Sequence, residues 1–171
     1  MSDDFEPKIY VACLAAYNAN ILHGCWITVN DDVDEIHQAA QNMLAESPIT
    51  NAEEWAIHDS EGFGKLTIAE SENFSSVCEK AEFVREYGEL GAEVAANYHG
   101  DLKYAKDTLE DYYHGEWDSE LDYSTQLFDD THEVPEDIQN YIDYKAFCYD
   151  IFIDGHFSIK LDGVVHVFSE H

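Results

Sequence analysis

Positive charge is what this sequence most lacks. Lysine and arginine account for 8 of the 171 residues, against 37 aspartates and glutamates, so the formal net charge is −29 at pH 7. The acids are spread along the whole chain and are not gathered in one tail. A compact body with this charge repels nucleic acid and anionic membranes, which excludes both as binding partners.

The sequence also lacks long apolar runs, paired cysteine motifs and the composition of a disordered chain. No apolar run approaches the ~20 residues that a membrane span needs, and the acidic start MSDDFEPK is unlike a signal peptide, so we expect a cytoplasmic protein. The four cysteines show no CxxC spacing, so we expect free thiols. With 45% hydrophobic and 13% aromatic residues, the chain should fold.

Apolar periodicity and turn residues predict an α+β fold in three small consecutive units. The first, residues 1–61, is an antiparallel sheet with one helix. It combines a tight hairpin turning at Asn18-Ala19-Asn20, a helix over 32–45 capped by Asn30 or Asp31, and a third strand at WAIHDSEGF.

The second unit, residues 62–106, is predicted to consist of short helices separated by glycines, and the third, residues 107–171, to be α+β. The elements expected in the third unit are a strand near 110–117, a helix over 119–129, a helix over 136–152 with an apolar face of Ile138, Ile142, Phe147 and Ile151, and strands at 156–160 and 164–168 joined by an Asp162-Gly163 turn.

No pattern for catalysis or specific metal binding stands out. Asp118, Glu120 and Asp122 match the first positions of an EF-hand, but Tyr123 occupies the position that needs glycine. Cys148 with His156 or His166 is the best nucleophilic pair, yet its surroundings are too apolar to activate a thiol. We therefore expect no enzyme, no cofactor and no resident metal.

The charge itself suggests a function. Duplex DNA carries one negative charge per about 1.7 Å of axis, so about 12 base pairs present about 24 phosphates, a number comparable with the net charge of this chain. Carboxylates held apart on a scaffold would therefore compete with DNA. A solvated acidic surface, as in an acidic cation-binding or halotolerance protein, explains the composition equally well.

The segment EDIQNYIDYKAFCYDIFIDGHFSI, residues 136–159, separates these alternatives, because its core closely resembles the antirestriction motif of the ArdA family. PKIYVACLAAYNANILHGCWITV resembles the N-terminal hairpin of that family, WAIHDSEGF its third strand, and VVHVF its closing strand. The resemblance runs in order over nearly the whole chain.

The resemblance implies an elongated, homodimeric DNA mimic of the cytoplasm that blocks type I restriction-modification enzymes. Such a protein occupies the DNA-binding groove formed by the specificity and methyltransferase subunits, and thereby protects incoming mobile genetic elements without any catalysis. A DNA mimic directed at another DNA-binding protein stays open as an alternative.

Two sets of site residues follow from this reading. The candidate DNA-mimic acids are Asp31, Asp32, Asp34, Glu35, Glu110, Asp111, Glu116, Asp118, Glu120, Asp122, Asp129, Asp130, Glu133, Glu136 and Asp137. The resemblance assigns the motif and dimer interface to Tyr141, Ile142, Asp143, Tyr144, Phe147, Cys148, Asp150 and Ile151. Tyr112, Trp117 and Tyr123 are expected to anchor the scaffold that spaces the acids.

The chain departs from the family pattern at Lys145, Cys148 and Tyr149, which leaves dimer strength open.

Overall fold

The computed structural model describes residues 6–171 as a mixed α+β protein. It contains two three-stranded antiparallel sheets and, in the described part, seven helices. The chain divides into two compact units, one ending at Leu102 and the other comprising Lys103–His171. The α+β prediction is confirmed, whereas the finer division into three units stays a prediction.

The first unit combines a three-stranded sheet with helices. Its elements are β1 (Lys8–Cys13), α1 (Leu14–Asn18), β2 (Gly24–Thr28), α2 (Val33–Ala45), β3 (Trp55–Glu61) and α3 (Phe74–Asn97). The strands lie in the order β2-β1-β3, and α2 packs against β1 and β2.

The first two strands pair antiparallel as predicted, but not through a tight hairpin. Ile9 lies opposite Ile27 in the register, whereas residues 14–18 form the helical turn α1 instead of extending the strand. Leucine and two alanines at its start favour helix over strand, which explains the correction. The positive φ expected of an asparagine occurs at Asn20, at 60°.

Helix α2 begins at Val33, one residue later than predicted, and neither Asn30 nor Asp31 is its cap. Asp32 is the N-cap, and its side chain accepts hydrogen bonds from the backbone N–H groups of Asp34 and Glu35. The buried face includes Ile36, Ala40 and Leu44, as the spacing predicted.

Helix α3 is longer than the short segments predicted. Gly88 interrupts it with φ 63° and ψ −155°, a conformation that glycine adopts readily, while Gly91 is buried inside the helix and tolerated there. At the start of α3, Phe74 stacks on Trp55 at a centroid distance of 4.1 Å and ties the helix to β3.

The second unit is a three-stranded sheet covered by helices. Its elements are α4 (Leu102–Asp111), β4 (Tyr113–Trp117), α5 (Glu120–Thr131), α6 (Glu136–Gln139), α7 (Tyr144–Ile153), β5 (His156–Leu161) and β6 (Val164–Ser169). The strands lie in the order β4-β6-β5, and α5 and α7 cover them. The buried centre is Tyr123, Val165 and Val167, with Trp117, Leu127, Ile151 and Phe152 packed around it.

Two predictions for this unit are wrong. The strand expected near 110–117 starts at Tyr113, because Glu110 and Asp111 complete α4. The helix expected over 136–152 is broken between Gln139 and Tyr144, because the Asp143 side chain caps a new helix by accepting from the Ala146 N–H at 3.0 Å.

As a result, the single apolar face of Ile138, Ile142, Phe147 and Ile151 does not exist as one helical stripe. The final hairpin is confirmed: β5 and β6 pair antiparallel, and Asp162 and Gly163 take φ values of 49° and 84°.

Candidate acidic interaction surface

Carboxylates dominate the exposed surface of both units. All fifteen acids predicted from the sequence are exposed. Within residues 6–171, every aspartate and glutamate is exposed except Glu72, Glu93 and Asp107. Exposure is therefore general among the carboxylates, and the assignment of the fifteen to a DNA-mimic surface stays a prediction.

Few of these charges are neutralised by cations. Of the fifteen predicted acids, Asp31 lies 3.1 Å from Arg85 and Glu110 lies 3.7 Å from Lys106, and the other thirteen form no ion pair with the described part of the chain. Residues 107–144 contain thirteen acids and no lysine or arginine. Apart from the Lys106–Glu110 pair, the negative charge of this stretch is thus left uncompensated.

One acid at the start of α2, Asp32, is held by the backbone. Its carboxylate accepts from the N–H of Asp34 at 3.0 Å and from that of Glu35 at 3.3 Å. The side chain of Asn30 accepts from the N–H of Asp32 at 3.0 Å. The positive end of the helix dipole favours acids in this first turn.

Neutral donors fix the carboxylates of the second unit. The Ser119 hydroxyl lies 2.7 Å from Asp122, and the Ser158 hydroxyl donates to Glu120 at 2.6 Å. The Gln126 amide donates to Asp130 at 2.8 Å. A hydroxyl or amide donor orients a carboxylate without cancelling its charge.

Tyr144 holds Asp129 in the same way. Its hydroxyl donates to Asp129 at 3.0 Å, and this hydrogen bond raises the pKa of Tyr144 above its ordinary value. The motif helix α7 is thereby bonded to the acidic end of α5, so the two predicted sets of site residues meet at this contact.

Several acids occupy positions that a helix dipole disfavours. Asp111 ends α4, and Asp129 and Asp130 lie in the last turn of α5, where cations are normally favoured. None of the seven helices between residues 6 and 171 has a basic residue in its last turn. Helix stability alone does not explain this placement of charge.

Two of the three expected scaffold aromatics, Tyr123 and Trp117, lie in or against the core of the second unit. Tyr123 is buried, and its hydroxyl is 3.0 Å from His156 Nε2. Trp117 packs edge-on against Tyr123 and donates its indole N–H to the His114 carbonyl at 2.9 Å. Tyr112 stacks on His171 at 4.0 Å.

The structure divides the motif into a loop and a helix. Tyr141, Ile142 and Asp143 lie in the break before α7, while Phe147 packs edge-on against Phe128 at 5.2 Å and Ile151 joins the buried centre. With Cys148 partly buried and Asp150 exposed, only some of the predicted interface residues point away from the chain.

Helix α7 is apolar on its outer side as well. Tyr149 is 68% exposed and Ile153 is 65% exposed, close in sequence to Tyr141 at 85% and Ile138 at 47%. The sequence prediction overlooked Ile153. The sequence feature that could have pointed to Ile153 is that α7 is hydrophobic on all sides, a pattern typical of a helix that is covered on both sides.

The calcium alternative does not fit this geometry. Helix α5 begins at Glu120, so Glu120 and Asp122 lie in its first turn and not in an EF-hand loop. Between residues 6 and 171, no group of three or more His, Cys, Asp or Glu side chains could hold a metal ion. The four cysteines are free thiols, as expected.

These features define a small, strongly acidic α+β protein in which hydrogen bonds orient some of the surface carboxylates and most of them are not neutralised. Among the helices of residues 6–171, none combines the length and the apolar character needed to cross a bilayer.

Comparison with protein families then identifies the chain. The family model described as antirestriction protein (ArdA) matches residues 9–166, so the chain belongs to the ArdA family. Its function is accordingly antirestriction, which implies interaction with restriction-modification enzymes. No curated protein matches the chain.

Proposed function

We propose that this protein is a DNA mimic that inhibits type I restriction-modification enzymes by occupying their DNA-binding groove. The observation that carries the proposal is the orientation of exposed carboxylates by neutral donors, as at Glu120, Asp122 and Asp129. A DNA-binding groove lined with lysine and arginine supplies the missing cations through charge-assisted hydrogen bonds.

The size of the charge supports the same proposal. The net charge of −29 is close to that of about 12 base pairs of duplex DNA. Long-range attraction steers such a protein to a basic groove, and the affinity falls as salt rises. The protein contacts the specificity and methyltransferase subunits, which bind the DNA. It acts in the cytoplasm, as a stoichiometric inhibitor without catalysis.

We further propose a homodimer formed through the motif region. In a single chain, Phe147 and Ile151 are already used in packing. Exposed apolar side chains remain at Tyr149 and Ile153, one turn apart on α7, and at Ile138 and Tyr141 in the segment before it. An apolar group of this kind is typical of a protein interface. Lys145, which is exposed nearby, can pair with an acid of the second copy.

The proposal is tested by titrating the purified protein into a type I enzyme acting on unmodified plasmid. Both ATP-dependent cleavage and methylation should be lost near one dimer per enzyme, while a type II nuclease in the same buffer is unaffected. If the type I enzyme keeps its activity at large excess under moderate salt, its DNA-binding groove is not the target. Capture of a different DNA-binding protein would then redirect the same surface to another partner.

A further inference from the structure

The first sheet has an aromatic outer face that the acidic surface does not explain. Ile9, Val11 and Ile27 are buried on the helix-covered side of β1 and β2. Tyr10 and Trp26 alternate with them and therefore lie on the opposite side. They are directly paired across the two strands, with ring centroids 5.5 Å apart and ring planes tilted by 55°.

This aromatic pair is accessible yet held in place. Trp26 is 45% exposed, more than either Trp55 or Trp117, which are both partly buried. The Tyr10 ring lies over Gly24, where an added Cβ would come 2.8 Å from Tyr10 Cζ. Two packed rings on a paired strand give a rigid platform, which loses little conformational freedom when a ligand binds.

The surroundings of the platform are acidic. Asp59 lies opposite Tyr10 in the register of β1 and β3, and Glu61 lies opposite Lys8; both acids are exposed. Lys8, the cation on this face, is already paired with Glu6 at 2.9 Å, and that hydrogen bond raises the pKa of Lys8. The face therefore combines π surfaces with an excess of negative charge.

We propose that the Trp26–Tyr10 platform binds an arginine side chain of a basic protein surface. A guanidinium is planar and weakly hydrated, so it stacks on an indole while its N–H groups reach nearby carboxylates. Lysine fits less well, because its ammonium is compact and strongly hydrated. This step rests on the proposed function for the identity of the partner, whose DNA-binding groove would supply the arginine.

Such a contact would add stacking on an exposed aromatic ring to the charge-based mimicry of DNA. The phosphates of a duplex are exposed, whereas the faces of its bases are stacked on one another. An exposed indole gives the protein a contact that its competitor lacks. Tryptophan and arginine are also the residues that dominate protein interfaces energetically.

A direct test uses the indole N–H signals of the folded protein in NMR titrations with oligo-arginine and oligo-lysine peptides of equal length. We expect oligo-arginine to shift the Trp26 signal, with a smaller effect from oligo-lysine. Trp55, stacked on Phe74 at 4.1 Å, is the internal reference and should not move. Equal shifts with both peptides, or an unshifted Trp26 signal, would overturn the proposal.

A functional test compares four variants as inhibitors of a type I enzyme that the unmodified protein inhibits. Trp26→Ala and Trp26→Leu should each weaken inhibition by about five-fold, and Trp26→Phe by less, because phenylalanine keeps a π face. Leu22→Ala removes a 90% exposed apolar side chain of the same unit and should have no effect. Thermal melts establish that each variant is folded.

The salt dependence distinguishes this contact from the acidic surface. Trp26→Ala removes no charge, so it should lower affinity and leave the slope of log Kd against log salt unchanged.

Two results would contradict the proposal. Full activity of Trp26→Leu would indicate simple apolar contact. A change of oligomeric state in Trp26→Ala would assign the face to a second copy. If the unmodified protein inhibits no type I enzyme, the proposed function fails, while the NMR titration still decides the platform.

Discussion

Tyr144 donates a hydrogen bond to Asp129 at 3.0 Å and so connects the first residue of α7 to the last turn of α5. The contact joins the family motif to the acidic surface through a donor that carries no charge. It fixes the direction of one carboxylate and leaves its charge available to a partner. The predictions below follow from this arrangement and from others like it.

The Tyr144 pKa reports this contact directly. The hydrogen bond to Asp129 favours the protonated phenol and raises its pKa. Asp129→Asn should therefore move the Tyr144 pKa down toward its ordinary value of about 10. NMR titration of the tyrosine ring signals measures it, with Asp130→Asn as the matched control. An equal shift in the control would mean that general charge, and not the hydrogen bond, sets the pKa.

A partly buried histidine, His156, predicts an acid-sensitive second unit. Burial lowers the pKa of His156, so the folded protein keeps this ring neutral while the unfolded chain protonates it near pH 6.5. Stability linked to His156 is therefore fully present above about pH 6.5 and is lost as the pH falls toward the lower, folded-state pKa.

The measurement is the melting temperature between pH 7.5 and 5 for the unmodified protein and His156→Gln. Relief of repulsion among the acids should stabilise both proteins as the pH falls, so the difference between them isolates the histidine. We expect the unmodified protein to lose on the order of a few degrees relative to the variant. Parallel pH curves would show that His156 does not contribute.

Not every carboxylate is assigned to the proposed interaction surface, and Glu72 gives the contrast. Its side chain is 10% exposed, lies 2.7 Å from Lys80 and accepts from Ser76 and from the Ala69 N–H. Burial opposes ionisation, but these hydrogen bonds outweigh it and the pKa of Glu72 is lowered. This acid is structural.

Glu72→Gln should therefore destabilise the protein by about 2 kcal/mol and leave inhibition unchanged at a temperature where the variant is folded. Asp118→Asn, at an exposed position without an ion pair, should do the reverse: stability stays constant and inhibition weakens slightly. Denaturant unfolding and the inhibition assay together measure both effects. Inhibition that falls with Glu72→Gln and not with Asp118→Asn would reverse the assignment.

The exposed apolar residues of α7 predict how mutations affect the proposed dimer. Ile153 is exposed and adds little to the stability of one chain. Ile153→Asp should thus leave the melting behaviour of the monomer intact and raise the dimer dissociation constant at least about tenfold, because a charge replaces an apolar contact. Sedimentation velocity measures this constant.

Leu22→Asp, which places the same charge at another exposed apolar site, is the control for added charge. It should sediment as the unmodified protein does. Equal dissociation in both variants would point to general repulsion and not to an interface at α7.

The sequence was most informative where a local pattern decides the outcome. The β5–β6 turn follows from Asp162-Gly163, and the α2 face from the spacing of Ile36, Ala40 and Leu44. Exposure of the acids was equally predictable, because an ionised carboxylate is rarely buried without a partner.

The errors arose where short-range hydrogen bonds compete with periodicity. The Asp143 side chain ends one helical segment and starts the next, so an apolar pattern that suits one helix is divided between a loop and α7. The donors that orient the acids were also invisible: Ser158 lies 38 residues from Glu120 in sequence, and only the tertiary fold brings them together.

The most direct test of the central claim is competition between this protein and DNA for the methyltransferase of a type I enzyme, followed by fluorescence anisotropy of a labelled DNA site at several salt concentrations. We predict purely competitive displacement, with an affinity that falls steeply as salt rises. Replacing the acids of one stretch by their amides should lower both the affinity and the salt slope by graded amounts; these are Glu110, Asp111, Glu116, Asp118, Glu120 and Asp122. Binding of the protein to the enzyme–DNA complex without displacement, or an affinity unchanged by the amide substitutions, would contradict the account.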